Sequence, residues 1–202
     1  MRVGILAFQG DFIEHYNVLR ALGVEAVLVK EPEELYRLDG LIIPGGESTT
    51  ISQFLKSTDM GQEIRNRVRD GMAVYGTCAG AILLATEVIP ENPPVYNLGL
   101  VDMTIRRNAY GRQRESFEAD VKLHDSQYHA IFIRAPRIER VGKDVEIIGK
   151  LNDEPVLVRQ GKVMASTFHP ELNFSFPEGQ PRRLESLPPD TVHRMFIELM
   201  RA

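Results

Sequence analysis

The chain has 202 residues, of which 43% are hydrophobic, 26% charged and 7% aromatic, and its net charge at neutral pH is -4. These proportions exclude disordered and fibrous classes, and a single domain of this length buries roughly 70% of the surface its unfolded chain exposes. The 24 basic residues are scattered along the chain, which leaves no electrostatic footprint for nucleic acid.

Val3 to Phe8 is a short apolar run and predicts a strand; from Asp11, Phe12, Ile13, Tyr16, Leu19 and Leu22 recur at helical spacing, and Gly23 ends the helix. Val24 to Val29 predicts the next strand, an acidic turn spans Glu31 to Glu34, and Gly40 to Ile43 is a third strand broken by Pro44-Gly45-Gly46. Helices are expected from about Ser48 to Lys56 and from about Asp59 to Arg69. Met72 to Tyr75 reads as a short buried strand, and Cys78 to Thr86 returns to a helix-prone pattern. Strands alternating with helices predict an α/β fold around a mostly parallel sheet. After Pro90 the signals change. Gly99 to Thr104, Ser116 to Leu123, Ala130 to Arg134, Val145 to Gly149, Pro155 to Arg159 and Val163 to Phe168 all read as strands, so the second half is expected to be richer in antiparallel pairing. Two loops stand out, Pro90 to Asn97 and Asn173 to Asp190, before a closing amphipathic helix from Thr191 to Arg201. No repeat or boundary interrupts the chain, and residues 1–202 are expected to form one domain. No run reaches the roughly 18 to 20 apolar residues of a membrane span. Met1-Arg2 leads directly into a strand-like run and not into a signal-peptide pattern, so a cytoplasmic location without a membrane partner is expected.

Cys78 is the one cysteine, which excludes an internal disulfide and a zinc site of several cysteines. It sits in Val74-Tyr75-Gly76-Thr77-Cys78-Ala79-Gly80-Ala81, between an apolar strand and a helix, with a glycine two residues away on either side. That is the pattern of a nucleophile elbow. The flanking glycines are needed because side chains there would meet neighbouring backbone, and the start of a helix favours a thiolate. A lone cysteine is most often a buried structural residue; the paired glycines reverse that reading.

A thiol nucleophile needs a base and a group to orient it. Of the five histidines, His15 and His193 lie in helices, and His124 and His129 flank a polar turn, positions that suit surface or satisfied core residues. His169 instead ends a strand, and Pro170 fixes the backbone so that Glu171 can lie on the same side as the imidazole. By itself His-Pro-Glu is equally compatible with a plain turn after a strand. A third segment, Ile43-Pro44-Gly45-Gly46-Glu47-Ser48, runs from a strand through a Gly-Gly turn into a helix that Ser48 could cap. Amides of Gly46 and Ala79 could bind the oxyanion of acyl transfer.

With these segments in place the chain resembles the class I (triad) glutamine amidotransferases, which have a flavodoxin-like fold, and within them the family of glutaminase subunits of pyridoxal phosphate synthase. The broader resemblance rests on Gly-Thr-Cys-Ala-Gly and His-Pro-Glu. The narrower one rests on Ala7 to His15, Pro44 to Thr50, Asn108-Ala109-Tyr110-Gly111-Arg112-Gln113, Ser116 to Asp120 and Phe132 to Pro136. It implies that Cys78 forms a glutamyl thioester, that His169 is base and then acid, that Glu171 orients it, and that Gly46 and Ala79 supply the oxyanion hole. It implies substrate contacts from Gly46, Glu47, Ser48, Arg107, Ile133 and Arg134. Spacing alone does not decide between Arg106 and Arg107; the family's Arg-Asn pair does. Arg134, read within an apolar strand, needs a carboxylate partner in any case. The implied substrate is L-glutamine, and the implied partner is the synthase (lyase) subunit of a heteromeric complex, docking near Gln9 to His15. No cofactor or metal is implied, since pyridoxal phosphate would be the product. The stretch Asn173 to Asp190 is longer than the resemblance leads one to expect. Alternatives are a glutaminase serving another synthase, such as that for imidazole glycerol phosphate, a flavodoxin-like cysteine peptidase, which His-Pro-Glu argues against, and a non-catalytic scaffold.

Overall fold

The computed structural model describes residues 1–109, 116–175 and 188–202. Its first half is β1 (Arg2–Leu6), α1 (Phe12–Ala21), β2 (Glu25–Val29), β3 (Gly40–Ile43), α2 (Ser48–Ser57), α3 (Met60–Arg69), β4 (Ala73–Thr77) and α4 (Ala79–Leu84). The strands are short, apolar and buried on both sides, as parallel strands covered by helices must be. Val3, Ile5, Ile42 and Tyr75 pack on one face with Leu19 of α1, whereas Leu6, Leu41, Ile43 and Val74 pack on the other with Ile51, Leu55 and Ile64 of α2 and α3. The expected acidic turn at Glu31 is a 3-10 turn, Pro32–Arg37, opened by a reciprocal capping box between Glu31 and Glu34.

The second half is β5 (Ala85–Ile89), β6 (Val101–Arg106), β7 (Ser116–Leu123), β8 (Ser126–Ile133), β9 (Arg137–Val141), β10 (Glu146–Leu151), β11 (Glu154–Gln160), β12 (Val163–Ser166) and α5 (Thr191–Arg201). Among the described residues, one sheet has the order β2-β1-β3-β4-β12-β11-β10-β7-β8 and a smaller one the order β5-β6-β9. In the large sheet β2, β1, β3, β4 and β12 are mutually parallel, and β12, β11, β10, β7 and β8 pair antiparallel. The sheet is therefore parallel in one half and antiparallel in the other, a finer division than the mostly parallel sheet expected. Two strands went unread, β5 and β9. The helix after Cys78 stops at Leu84 and not at Thr86, because the segment after it takes the helix's last carbonyls. Leu98 N–H donates to Leu83 O at 2.6 Å and Leu100 N–H to Leu84 O at 2.8 Å, while Asn97 Nδ2 donates to the carbonyls of Ala85 and Thr86. No helix among the described residues is long and apolar enough to cross a membrane. Tyr110 to Gln113 of the sequence motif, and most of the stretch from Asn173 to Asp190, lie outside the described residues.

α5 closes the face that α1 covers. Val192, Phe196 and Ile197 point into the core with Tyr75 and Phe168, and His193 on the same stripe has no exposed surface. The two central strands β4 and β12 lie side by side and parallel, with Thr77 opposite Ser166. Chain leaving both strands therefore emerges at one edge of the sheet, where an α/β fold places its ligand site.

Candidate active site

Cys78 links β4 to α4 with φ 49° and ψ -102°, a conformation that costs a non-glycine residue on the order of 1–3 kcal/mol and persists only where its surroundings impose it. The imposition is local. A Cβ on Gly80 would lie 2.0 Å from Ile43 O, and one on Gly76 would lie 2.6 Å from the Gly80 carbonyl carbon, so the turn passes between strand ends where only hydrogen fits. Cys78 N–H donates to Ser166 O at 2.9 Å, and the thiol, 7% exposed, lies 3.8 Å from Ile133 O.

His169 leaves β12 three residues after Ser166, and its N–H donates to Ile131 O at 2.8 Å, which ties it to β8. The 3-10 turn Pro170–Ser175 brings Glu171 back under the imidazole, so that His169 Nδ1 and Glu171 Oε1 are 2.7 Å apart. Asp11 Oδ2, just ahead of α1, approaches the same Nδ1 at 3.4 Å. The Nε2 atom is buried and makes no hydrogen bond among the described residues, and the Cys78 thiol lies close enough to raise the ring's proton affinity. Burial alone would lower the proton affinity of this ring; hydrogen bonding to Asp11, Cys78 and Glu171 outweighs burial and lifts its pKa well above the usual histidine value. Glu171 has no exposed surface, and burial raises its pKa although His169 pulls the other way. The structure thus brings Cys78, His169 and Glu171 together from two segments, the elbow after β4 and the turn after β12. Asp11, His169 and Glu171 offer donor atoms within 4.8 Å of one another, a set that resembles a cation site in spacing, but the Nδ1 proton already joins the ring to the carboxylates.

The Gly-Gly turn lies against the imidazole. A Cβ on Gly45 would come within 2.5 Å of His169 Cε1, so glycine is required there by close approach. Gly46 follows at φ 153°, and the next amide, of Glu47, donates to Gln9 Oε1 at 2.7 Å. The expected cap shifts by one residue: Glu47, in extended conformation, precedes α2, and Ser48 is its first helical residue. Ala79 opens α4 directly after the thiol. Ile133, 39% exposed, ends β8 beside Cys78.

The two arginines lie differently. Arg134 does not sit within the strand; it is exposed, one residue past the end of β8, in a left-handed turn at φ 43°. The strand ends early because the chain bends there toward β9. Arg107 is nearly buried, and its Nη2 donates to the carbonyls of Pro90 at 2.8 Å and Pro93 at 2.7 Å, whereas Arg106 is exposed and pairs with Glu139. Arg107 therefore binds the loop beginning at Pro90, and no contact joins it to Cys78 or His169 among the described residues.

Sequence reasoning did not find Asp11, Thr77, His15 or His193 in this neighbourhood. Thr77 Oγ1 accepts the Gly45 N–H at 3.0 Å and lies 3.2 Å from His15 Nε2. His15 is fully buried, 3.4 Å from Glu171 Oε2 and 2.9 Å from His193. The available signal was a histidine on the apolar stripe of each helix, with Val18 and Leu19 beside His15 and with Phe196 and Ile197 beside His193. His129, read at the edge of a turn, lies instead within β8 between Glu118 and Asp120 of β7.

Comparison with known proteins places this arrangement. Residues 5–176 match the model of the SNO glutamine amidotransferase family. The chain is 47% identical, over 99% of its own length and 97% of the relative's, to the Pyridoxal 5'-phosphate synthase subunit PdxT of Mycobacteroides abscessus. It is 45% identical over the full length of both chains to the protein of that name from Thermotoga maritima. A solved structure described as a glutamine amidotransferase superposes with a TM-score of 0.86 at 46% identity, covering 99% of each chain. The PurLQS structure from Thermotoga maritima, at 15% identity and a TM-score of 0.68 over 98% of this chain and 97% of that one, shares the fold. Fold, elbow and matched length agree, and the chain belongs to the SNO glutamine amidotransferase family.

Proposed function

We propose that this chain is one glutaminase domain that hydrolyses L-glutamine to L-glutamate and ammonia and passes the ammonia to a pyridoxal 5'-phosphate synthase subunit. The observation that carries the reading is the imidazole of His169, held by Glu171 at 2.7 Å and raised in proton affinity by that carboxylate, by Asp11 and by the Cys78 thiol of a strained elbow. Membership of the family supplies the substrate, and the names of full-length relatives supply the partner.

In this mechanism His169 takes the Cys78 proton and the sulfur attacks the carboxamide carbon of glutamine. Negative charge gathers on the carbonyl oxygen, where the amides of Gly46 and Ala79 would receive it; one such donor typically contributes ~10²- to 10³-fold in rate. His169 then gives its proton to the leaving nitrogen, the C–N bond breaks, and a glutamyl thioester remains. Water, deprotonated by the same ring, releases glutamate and restores the thiol. The raised proton affinity of His169 suits the acid step, since Asp11 and Glu171 hold the imidazolium until the leaving group claims its proton. Ile133, whose carbonyl lies 3.8 Å from the thiol, Arg134 after it, and Glu47 and Ser48 after the Gly-Gly turn are assigned to glutamine binding; Arg107 is assigned there through the family's Arg-Asn pair, its present contact being the loop at Pro90. Ammonia released into water would protonate and lose its nucleophilicity, so direct transfer to a docked synthase in the cytoplasm completes the reading.

Glutamate release from glutamine by wild type and Cys78→Ala, each with and without a pyridoxal phosphate synthase subunit, tests it. Activity that requires Cys78 and rises with the subunit is the expected result. Cys78-dependent activity indifferent to the subunit would reassign the partner, and no hydrolysis in any mixture would overturn the glutaminase.

A further inference from the structure

Two buried histidines have no part in the reaction just described. His15 on α1 presents Nε2 to Glu171 Oε2 at 3.4 Å and to Thr77 Oγ1 at 3.2 Å, and its Nδ1 lies 2.9 Å from Nε2 of His193 on α5. The groups facing this pair are Glu171 and His169 from the turn after β12, Thr77 and Tyr75 from β4, and Asp190 at the head of α5. Burial, followed by the neighbouring His193 and His169, holds His15 well below its ordinary pKa, and burial brings His193 down to about 4. Both rings are therefore neutral at neutral pH, with one N–H each.

The surroundings choose between the two possible hydrogen placements. A bare Nε2 on His15 could accept from the Thr77 hydroxyl but would also aim its lone pair at a carboxylate oxygen. His15 Nδ1–H would then donate to His193 Nε2, leaving the proton on His193 Nδ1, an atom buried without a partner among the described residues. With the hydrogen on His15 Nε2 instead, the N–H faces Thr77 Oγ1 and Glu171 Oε2, an oxygen that has no other donor among the described residues, and His193 Nε2–H donates to His15 Nδ1. The one atom then left over is a bare acceptor on His193, and orphaned acceptors are tolerated better than orphaned donors. At 3.4 Å the two atoms make no hydrogen bond at rest, and Oε2 has no other partner among the described residues; catalytic contacts of this kind tighten when substrate fills the site.

We propose that His15 is a positioning residue of the acid–base pair, its Nε2–H steadying the outer oxygen of Glu171 while the inner oxygen holds His169, and that His193 on the C-terminal helix fixes the tautomer that allows it. This rests on the glutaminase reading above. Without that N–H beside it, Oε2 is a buried charge faced by no donor, so Glu171 takes up a proton at higher pH and loosens its hold on His169.

Two amide substitutions separate this role from simple packing. In His15→Gln the side-chain nitrogen falls where Nε2 was, facing Glu171; in His15→Asn it falls where Nδ1 was, facing His193. Assayed for glutamate release with the synthase subunit present, His15→Asn is expected to lower kcat roughly tenfold, the lower end of what loss of a supporting hydrogen bond costs, with KM unchanged. Its acid limb in kcat/KM should move to higher pH, while His15→Gln retains most of the rate and the wild-type limb. Equal kcat and the same acid limb in folded Asn, Gln and wild-type proteins would overturn the proposal. Should the Asn variant not fold, nitrogen-15 NMR of the wild-type histidines decides. A neutral His15 protonated on Nε2 supports the proposal, and protonation on Nδ1 overturns it. The NMR result also stands apart from the functional reading, which fails separately if the wild type and synthase together release no glutamate.

Discussion

The two sides of the site are built in opposite ways. The thiol side is carried by one continuous stretch, β4, Cys78 and α4, pressed backbone to backbone at Gly76 and Gly80 and against Ile43 at the end of the neighbouring β3. The imidazole side is assembled from distant parts of the chain, with Asp11 and His15 from the start of α1, His169 and Glu171 from beyond β12, and His193 from α5. A nucleophile that must be strained needs close, inflexible surroundings, whereas a base that must gain and lose a proton needs several electrostatic neighbours. The first demand is met by spacing within one segment and the second by tertiary packing.

Substitutions on each side should therefore fail differently. The largest effect is expected from Gly80→Ala, whose methyl would need the space held by Ile43 O. Overpacking against backbone should cost ~3 kcal/mol or more and show as a fallen melting temperature with lost activity; a stable, active variant would mean that the elbow is more pliant than its contacts indicate. Glu171→Gln leaves shape and volume nearly intact, so the protein should fold and bind glutamine while kcat drops by about 10²- to 10⁴-fold, as expected when the orienting carboxylate of a triad is neutralised. Single-turnover kinetics would separate that loss from any change in binding.

The smallest effect is a pH dependence of stability. His193 is neutral and buried with its pKa near 4, below the value of about 6.5 it regains when unfolded, and His15 is displaced in the same direction. Their contribution is complete above about pH 6.5 and erodes as pH falls toward 4, because the unfolded chain takes up protons that the native one refuses. For His193 the whole range amounts to ~3 kcal/mol. His169 is displaced upward, so below pH 6.5 it is protonated in both states and adds no slope, whereas Glu171, also displaced upward, opposes the fall in part as it takes up its proton. Melting temperature should fall between pH 7 and pH 5, and His193→Gln should flatten that fall; an unchanged slope would place the titrating groups elsewhere.

What could be read in advance follows the same division. The order of β1, α1, β2, β3, α2, α3 and β4 was legible because each segment carries its own period and its own stop, such as Gly23 or Pro44. The elbow was legible because Gly76 and Gly80 are spaced within one turn of chain. β5 escaped because Ala81 to Thr86 suits a helix by composition, and only the later segment Asn97 to Leu100, by occupying the terminal carbonyls, ends that helix at Leu84. Asp11, His15 and His193 escaped because each acts through a contact across the fold, to which no local pattern corresponds. For Arg106 and Arg107 the chain offers two adjacent cations, and their separation into a surface ion pair and a buried loop clasp depends on which face of β6 and its exit turns inward.

The parallel pairing of β4 with β12 also sets an order of events during synthesis. β4 and the elbow are complete early, but the strand that must lie beside β4 comes near the end of the chain, after every strand of the antiparallel half. Until residues 163–171 leave the ribosome, the emerging chain carries its thiol without a base and cannot close the centre of its sheet, and such long-range parallel pairings are slow to form. Hydrolysis thus switches on as a last act of folding, when α5 has also become available to cover the face on which His193 lies.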